Sequence, residues 1–174
     1  MSAWTFLPND DEHTVLSLAL GRWIVTDGAY LTKDSVAFGP IIAHDGFLDL
    51  SLTPEGLEFL SFGYRLDAPV TKGVEQILVI DSGDMVFCCE DAFKGSGISL
   101  SDRRTTYAFR RTCLAFENAA RLAGKRSKTL LIYDANRLCI AITASPMWGD
   151  GAYRLEFDSV GDFQLLRAHL GESC

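Results

Sequence analysis

Short apolar runs rich in β-branched and aromatic residues, each broken by turn-forming residues, dominate the hydrophobic pattern and predict an antiparallel β protein. Residues 41–43 and 47–52 flank His44-Asp45-Gly46, and residues 57–62 resume after Thr53-Pro54-Glu55-Gly56, which predicts a three-stranded meander. Residues 76–80 and 85–89 flank Asp81-Ser82-Gly83-Asp84 and read as a hairpin. Residues 129–133 with 138–143, and 153–157 with 163–166, surround Asp134-Ala135-Asn136-Arg137 and Asp158-Ser159-Val160-Gly161-Asp162 and read as a four-stranded unit. Near the start, residues 15–18 and 22–26 read as strands around Gly21, with Asp27-Gly28 as a break.

One segment has a helical period: across residues 105–123, Phe109, Cys113, Phe116, Ala120 and Ala123 recur at spacings of three or four. Asp102 and Thr105 are N-cap candidates, and Gly124-Lys125-Arg126 resembles a helix stop with cations at the negative end of the dipole. Arg110, Arg111, Glu117, Asn118 and Arg121 fall on the opposite face. Asp67-Ala68-Pro69 and Lys94-Gly95-Ser96-Gly97 read as loops, and no composition shift or repeat divides the chain. The expectation is a single domain over residues 1–174, mainly β (α+β), with antiparallel hairpins forming a sandwich or strongly curved sheet and one packed helix.

Composition adds that 174 residues, 48% hydrophobic and 22% charged, bury a core without disulfides or metals. The five cysteines lack C-x-x-C spacing, and the adjacent Cys88 and Cys89 point to opposite faces of a strand, so reduced thiols are expected. A net charge of −7 repels phosphate backbones and anionic lipid, which argues against nucleic acid and membrane surfaces as partners. No stretch reaches the roughly 20 apolar residues of a membrane span, and the first residues lack the pattern of a secretion signal; a cytoplasmic location is expected.

Chemistry-bearing patterns are sparse. His13, His44 and His169 are scattered without metal-ligand spacing, and no nucleophile elbow, phosphate loop or dinucleotide fingerprint occurs. No cofactor, metal site or catalytic constellation is therefore expected. Asp81, Asp84, Glu90 and Asp91 form one acidic cluster, with Asp81 and Asp84 at one end of a hairpin and Glu90 and Asp91 at the other. The segment from Pro146 to Tyr153 is the most distinctive: Gly149 and Gly151 flank Asp150, and Trp148 and Tyr153 flank the turn. Gly151→Val is expected to strain that turn if Gly151 has positive φ. Half of the 16 cations, including Arg110, Arg111 and Arg121, lie in or around the helix, as a solvated face or as a docking surface for an acidic partner or phosphorylated ligand.

The turn Gly149-Asp150-Gly151-x-Tyr153, preceded by Ser145 and Trp148, resembles the S-G-W-G-D-G-x-Y signature of a bacterial family catalogued as domain of unknown function 4241. Val79-Ile80-Asp81-Ser82-Gly83 with Phe87 and Glu90-Asp91 is similar to that family's V-D-x-G…F-x-D segment, and Gly21-Arg22-x-x-Val25-x-Asp27 to its G-x-x-x-x-x-D opening. The chain departs at Ser145-Pro146-Met147-Trp148, where the family has S-G-W. The resemblance implies a bacterial protein and no particular activity.

Two functions follow as expectations. The first is a cytosolic protein-binding module, immunity-type or regulatory, whose acidic charge steers it to a basic partner. The alternative is a carboxylate-based hydrolase or a ligand- or metal-binding domain built on Asp81, Asp91 and Asp150, which requires the Asp81 and Asp150 turns to meet. Candidate contact residues are Trp148, Asp150, Tyr153, Asp81, Asp91, Arg110, Arg111 and Arg121. No sequence feature specifies an oligomeric state.

Overall fold

The computed structural model describes residues 3–29, 31, 35–65, 75–125, 128–172 and 174. The expected Asp67-Ala68-Pro69 loop and Arg126 lie outside the described residues. Two six-stranded antiparallel sheets pack face to face. The first has the order β1 (Thr5–Asn9), β9 (Thr129–Tyr133), β10 (Cys139–Ala144), β8 (Met85–Cys89), β3 (Gly21–Asp27), β4 (Val36–Ile41). The second runs β2 (His13–Ser17), β5 (Asp45–Leu52), β6 (Leu57–Arg65), β12 (Phe163–His169), β11 (Gly151–Val160), β7 (Gln76–Ile80). Helices α1 (Glu90–Gly95) and α2 (Arg103–Leu122) pack on the first sheet, so the fold is a β-rich α+β sandwich.

The layering follows from the strand patterns. All residues of β8 and β10 are buried, because one face meets the second sheet and the other lies under helices. In β5 buried positions alternate with less buried ones, as a sheet with one wet face requires. Trp23, Phe62 and Phe87 join the sheets through ring contacts, and each fully buried ring contributes about 1.5–3 kcal/mol by leaving water.

Three expected hairpins form: β5–β6, β9–β10 and β11–β12. Three other expected pairings do not. β4 pairs with β3 and β5 pairs with β2 and β6, so His44 belongs to a crossing between sheets. β7 pairs with β11 while β8 lies between β10 and β3, so Asp81-Ser82-Gly83-Asp84 is a corner between sheets and no hairpin turn. The β9–β10 and β11–β12 hairpins likewise fall in different sheets. Turn residues specify that the chain bends; burial decides which ladder it joins. The wholly apolar β8 takes a central place, whereas β7, with Ile77 and Val79 about half exposed, takes an edge.

Asp102 caps α2 by accepting the Arg104 N–H, whereas Thr105 lies inside the helix and donates to the Ser99 carbonyl. Phe109, Cys113 and Ala120 are buried, Phe116 stacks on Phe6 at 4.7 Å between ring centres, and Ala123 is the C-cap. The sequence pattern does not anticipate α1, whose fully buried Phe93 packs edge-on against Phe109 at 5.1 Å.

Candidate functional site

At the corner between β7 and β8 the chain turns around two buried carboxylates. Asp27, at the end of β3, accepts the backbone N–H groups of Ala29 at 2.7 Å, Ser82 at 3.0 Å and Asp81. Asp84 is paired with Arg110 of α2 and accepts the Ser145 hydroxyl at 2.7 Å. Arg110 Nη2 also donates to the Ser82 carbonyl at 3.2 Å, so one guanidinium ties the helix to the corner. Gly28 permits this approach, since a Cβ there would stand 3.3 Å from both Arg110 Nη1 and the Asp84 carbonyl oxygen. Among the described residues Arg110–Asp84 is the only ion pair with both side chains below 15% exposure, at 14% and 8%.

Beside the corner opens a cavity of about 760 Å³, walled by the C-terminal half of α2, the start of β9, the end of β10 and the β5–β6 turn. Asp84, Ser145 and Glu117 line it together with Arg121, Lys125 and Lys128. Glu117 and Arg121 are four residues apart on α2, the spacing at which Glu and Arg ordinarily pair. Here they do not. Glu117 turns inward and accepts the Thr143 hydroxyl at 3.2 Å, while Arg121 donates to Asn118 Oδ1 at 3.0 Å. Among the described residues none of Arg121, Lys125 and Lys128 forms an ion pair.

Burial, reinforced by the neighbouring Asp84 charge, pushes the Glu117 carboxyl up to about 7 against the opposing pull of Arg110 and the Thr143 hydrogen bond. It therefore exchanges a proton near neutrality. Ser145 is not an activated nucleophile: its hydroxyl is committed to Asp84, and Arg110 already neutralises that carboxylate. Burial raises the thiols of Cys88, Cys113 and Cys139, the last to about 12, which keeps them protonated and unreactive.

The residues singled out in the sequence divide among four places. The Asp81 and Asp150 turns do meet: Gly151 pairs with Ile80, and a Cβ on Gly83 would lie 3.9 Å from Asp150 Oδ1. Both aspartates are exposed, and no group of three metal-ligating side chains occurs among the described residues. Asp91 lies apart at the far end of β8, where it accepts the Arg22 N–H at 3.1 Å. Trp148 is 64% exposed but anchors its indole N–H on the Gly171 carbonyl at 2.6 Å. Tyr153 is buried and donates to the Gly149 carbonyl at 2.9 Å, so both aromatics hold the turn in place. The positive φ of 72° falls on Gly149, whereas Gly151 opens strand β11 and is not among the positive-φ glycines; the strain expected at Gly151 belongs two residues earlier.

The basic helix face also separates. Arg110 points inward to Asp84, Arg111 lies outside with its guanidinium 6.0 Å from the Tyr107 ring centre, and Arg121 reaches the cavity. Glu117, placed on the polar face from sequence, belongs with the inward groups. The signal for it was present: Glu117 sits four residues after Cys113 and three before Ala120, within the buried stripe. Comparison with family profiles, curated proteins and solved structures finds no match for the chain.

Proposed function

We propose that this chain is a ligand-binding domain that takes a small anionic molecule, carrying a phosphate or carboxylate group, into the cavity beside α2. The supporting observation is that Arg121, Lys125 and Lys128 line one cavity without an ion-pair partner among the described residues. Three neighbouring cations repel one another, and a multivalent anion between them removes that repulsion while gaining charge-assisted hydrogen bonds. The protein's net charge of −7 excludes anions elsewhere, which makes a local cationic wall selective. Glu117 provides a proton donor or acceptor in the same space.

Thermal denaturation with phosphate, sulfate and oxalate, against glycerol as a neutral control, tests this reading. The anions are expected to raise the melting temperature saturably, by the equivalent of about 2.7 kcal/mol at a hundredfold excess over Kd, and glycerol to leave it unchanged. Failure of every anion overturns the proposal.

A second reading, an acidic protein partner on the outer face of α2, draws on Tyr107, 65% exposed beside Arg111, and on Leu122, 87% exposed at the end of the same helix. The two readings separate by variant. Loss of Arg111 and Tyr107 affects only a protein partner, whereas loss of Lys125 and Lys128 affects the small anion.

A further inference from the structure

The cavity brings an unusual pair of demands together, because the cations that attract an anion share it with two carboxyl groups. Glu117 and Asp84 line the same space as Arg121, Lys125 and Lys128. Asp84 is already paired with Arg110 and accepts the Ser145 hydroxyl. Among the described residues Glu117 forms no ion pair, and the Thr143 hydroxyl donates to one of its oxygens, Oε1. An ionised Glu117 would face any bound anion with a like charge in a partly dehydrated space. A protonated Glu117 would instead present an O–H donor.

Resting on the anion-binding reading above, we infer that Glu117 is a specificity-determining residue of this cavity, which binds its anionic ligand together with one proton and donates that proton's hydrogen bond from the Glu117 carboxyl to the ligand. The ligand class is thereby narrowed to anions with an acceptor oxygen to spare beyond those held by Arg121, Lys125 and Lys128, as phosphate, sulfate and dicarboxylate groups have. Halide ions, with no directional acceptor oxygens, are not expected to share the pH dependence.

The titratable and charged groups that face Glu117 come from each element packed around it. From α2 come Arg110, Cys113 and Arg121; from the β7–β8 corner Asp84; from β10 Thr143, and just after it Ser145. Asp10 after β1, Glu55 in the β5–β6 turn, and Lys125 and Lys128 complete the charged lining. The Cys113 thiol is pushed up by burial, away from neutrality. The proton exchange of Glu117 falls near neutrality, within the working range.

The test is the affinity of sulfate and oxalate, whose charges are constant between about pH 6 and about pH 9, measured by calorimetry at several pH values. Wild-type affinity is expected to be flat below about pH 7 and to fall about tenfold per unit above it. Repeating the titration in buffers of different ionisation enthalpy is expected to show uptake of about one proton per ligand above neutrality. Glu117→Gln keeps an acceptor for Thr143 and a donor for the ligand, so its affinity is expected to be independent of pH and to exceed wild type at about pH 8.5 by about tenfold or more. Binding that is insensitive to pH in the wild type, or a Glu117→Gln variant with an unchanged pH profile, overturns the inference while leaving anion binding in place. Absence of sulfate and oxalate binding at every pH overturns both.

Discussion

The corner around Asp84 and the cavity wall beside the second half of α2 both combine acidic and basic side chains, yet they resolve their charges in opposite ways. At the corner both buried carboxylates have partners from the chain: Asp27 accepts three backbone N–H groups, and Asp84 takes Arg110 and Ser145. Along the wall, Arg121, Lys125 and Lys128 have no carboxylate partner among the described residues, and Glu117 has a hydroxyl and no cation. Charges satisfied internally hold a fold together; charges left over near a cavity are available to something else. The difference assigns stability to the first region and binding to the second.

The sharpest way to break that division is Arg110→Ala. It leaves Asp84 buried without its cation, and chemical denaturation is expected to show a loss of about 3–5 kcal/mol. A loss below about 1 kcal/mol would mean that the corner is not a structural node. Asp27→Ala strips acceptors from the N–H groups of Ala29, Asp81 and Ser82 and is expected to cost about 2–3 kcal/mol by the same measurement.

A smaller effect is expected in the neighbouring turn. Gly149→Val forces a β-branched residue into φ 72° and should cost about 1–3 kcal/mol, whereas Gly151→Val, in extended backbone, should cost less than about 1. Paired melting curves read the contrast, and equal losses would place the conformational demand elsewhere.

Glu117 tests the wall without a ligand. Its folded proton affinity exceeds the ordinary value, so the folded state retains a proton that the unfolded state releases, and stability falls as pH rises from 4.5 to about 7. Glu117→Gln removes this contribution and should be more stable than wild type at about pH 8 by about 1–2 kcal/mol, after allowance for solvent screening. A variant less stable than wild type at that pH contradicts the inward, desolvated placement of the carboxyl. Last in size, replacing Arg121, Lys125 and Lys128 by Ala should change stability by no more than about 0.5 kcal/mol each, because none anchors an ion pair.

The strands, the long helix and its Asp102 cap were legible in the sequence because they depend on local periodicity and capping chemistry. Sheet membership was not. Asp81-Ser82-Gly83-Asp84 has the composition of a hairpin turn, and only the burial of every residue of β8, between the second sheet and the helical layer, makes it a corner. The aspartates and aromatics at the glycine turns stood out by residue type, yet Trp148 and Tyr153 serve backbone carbonyls. Glu117 and Asp84 matter through what surrounds them. Their neighbours Thr143, in β10, and Ser145, just after it, come from a segment that no local pattern links to α2, although the place of Glu117 in the buried stripe was readable.

The most direct test of the central claim is a calorimetric titration of oxalate at about pH 6.5 into wild-type protein, the Arg111→Ala variant and the combined Arg121→Ala, Lys125→Ala, Lys128→Ala variant. The account predicts saturable binding of one oxalate per chain by wild type and Arg111→Ala, and a loss of about a hundredfold or more in the triple variant, whose melting temperature stays near wild type. Equal binding by wild type and the triple variant, or no binding by any of them, would contradict the assignment of the cavity wall to an anionic ligand.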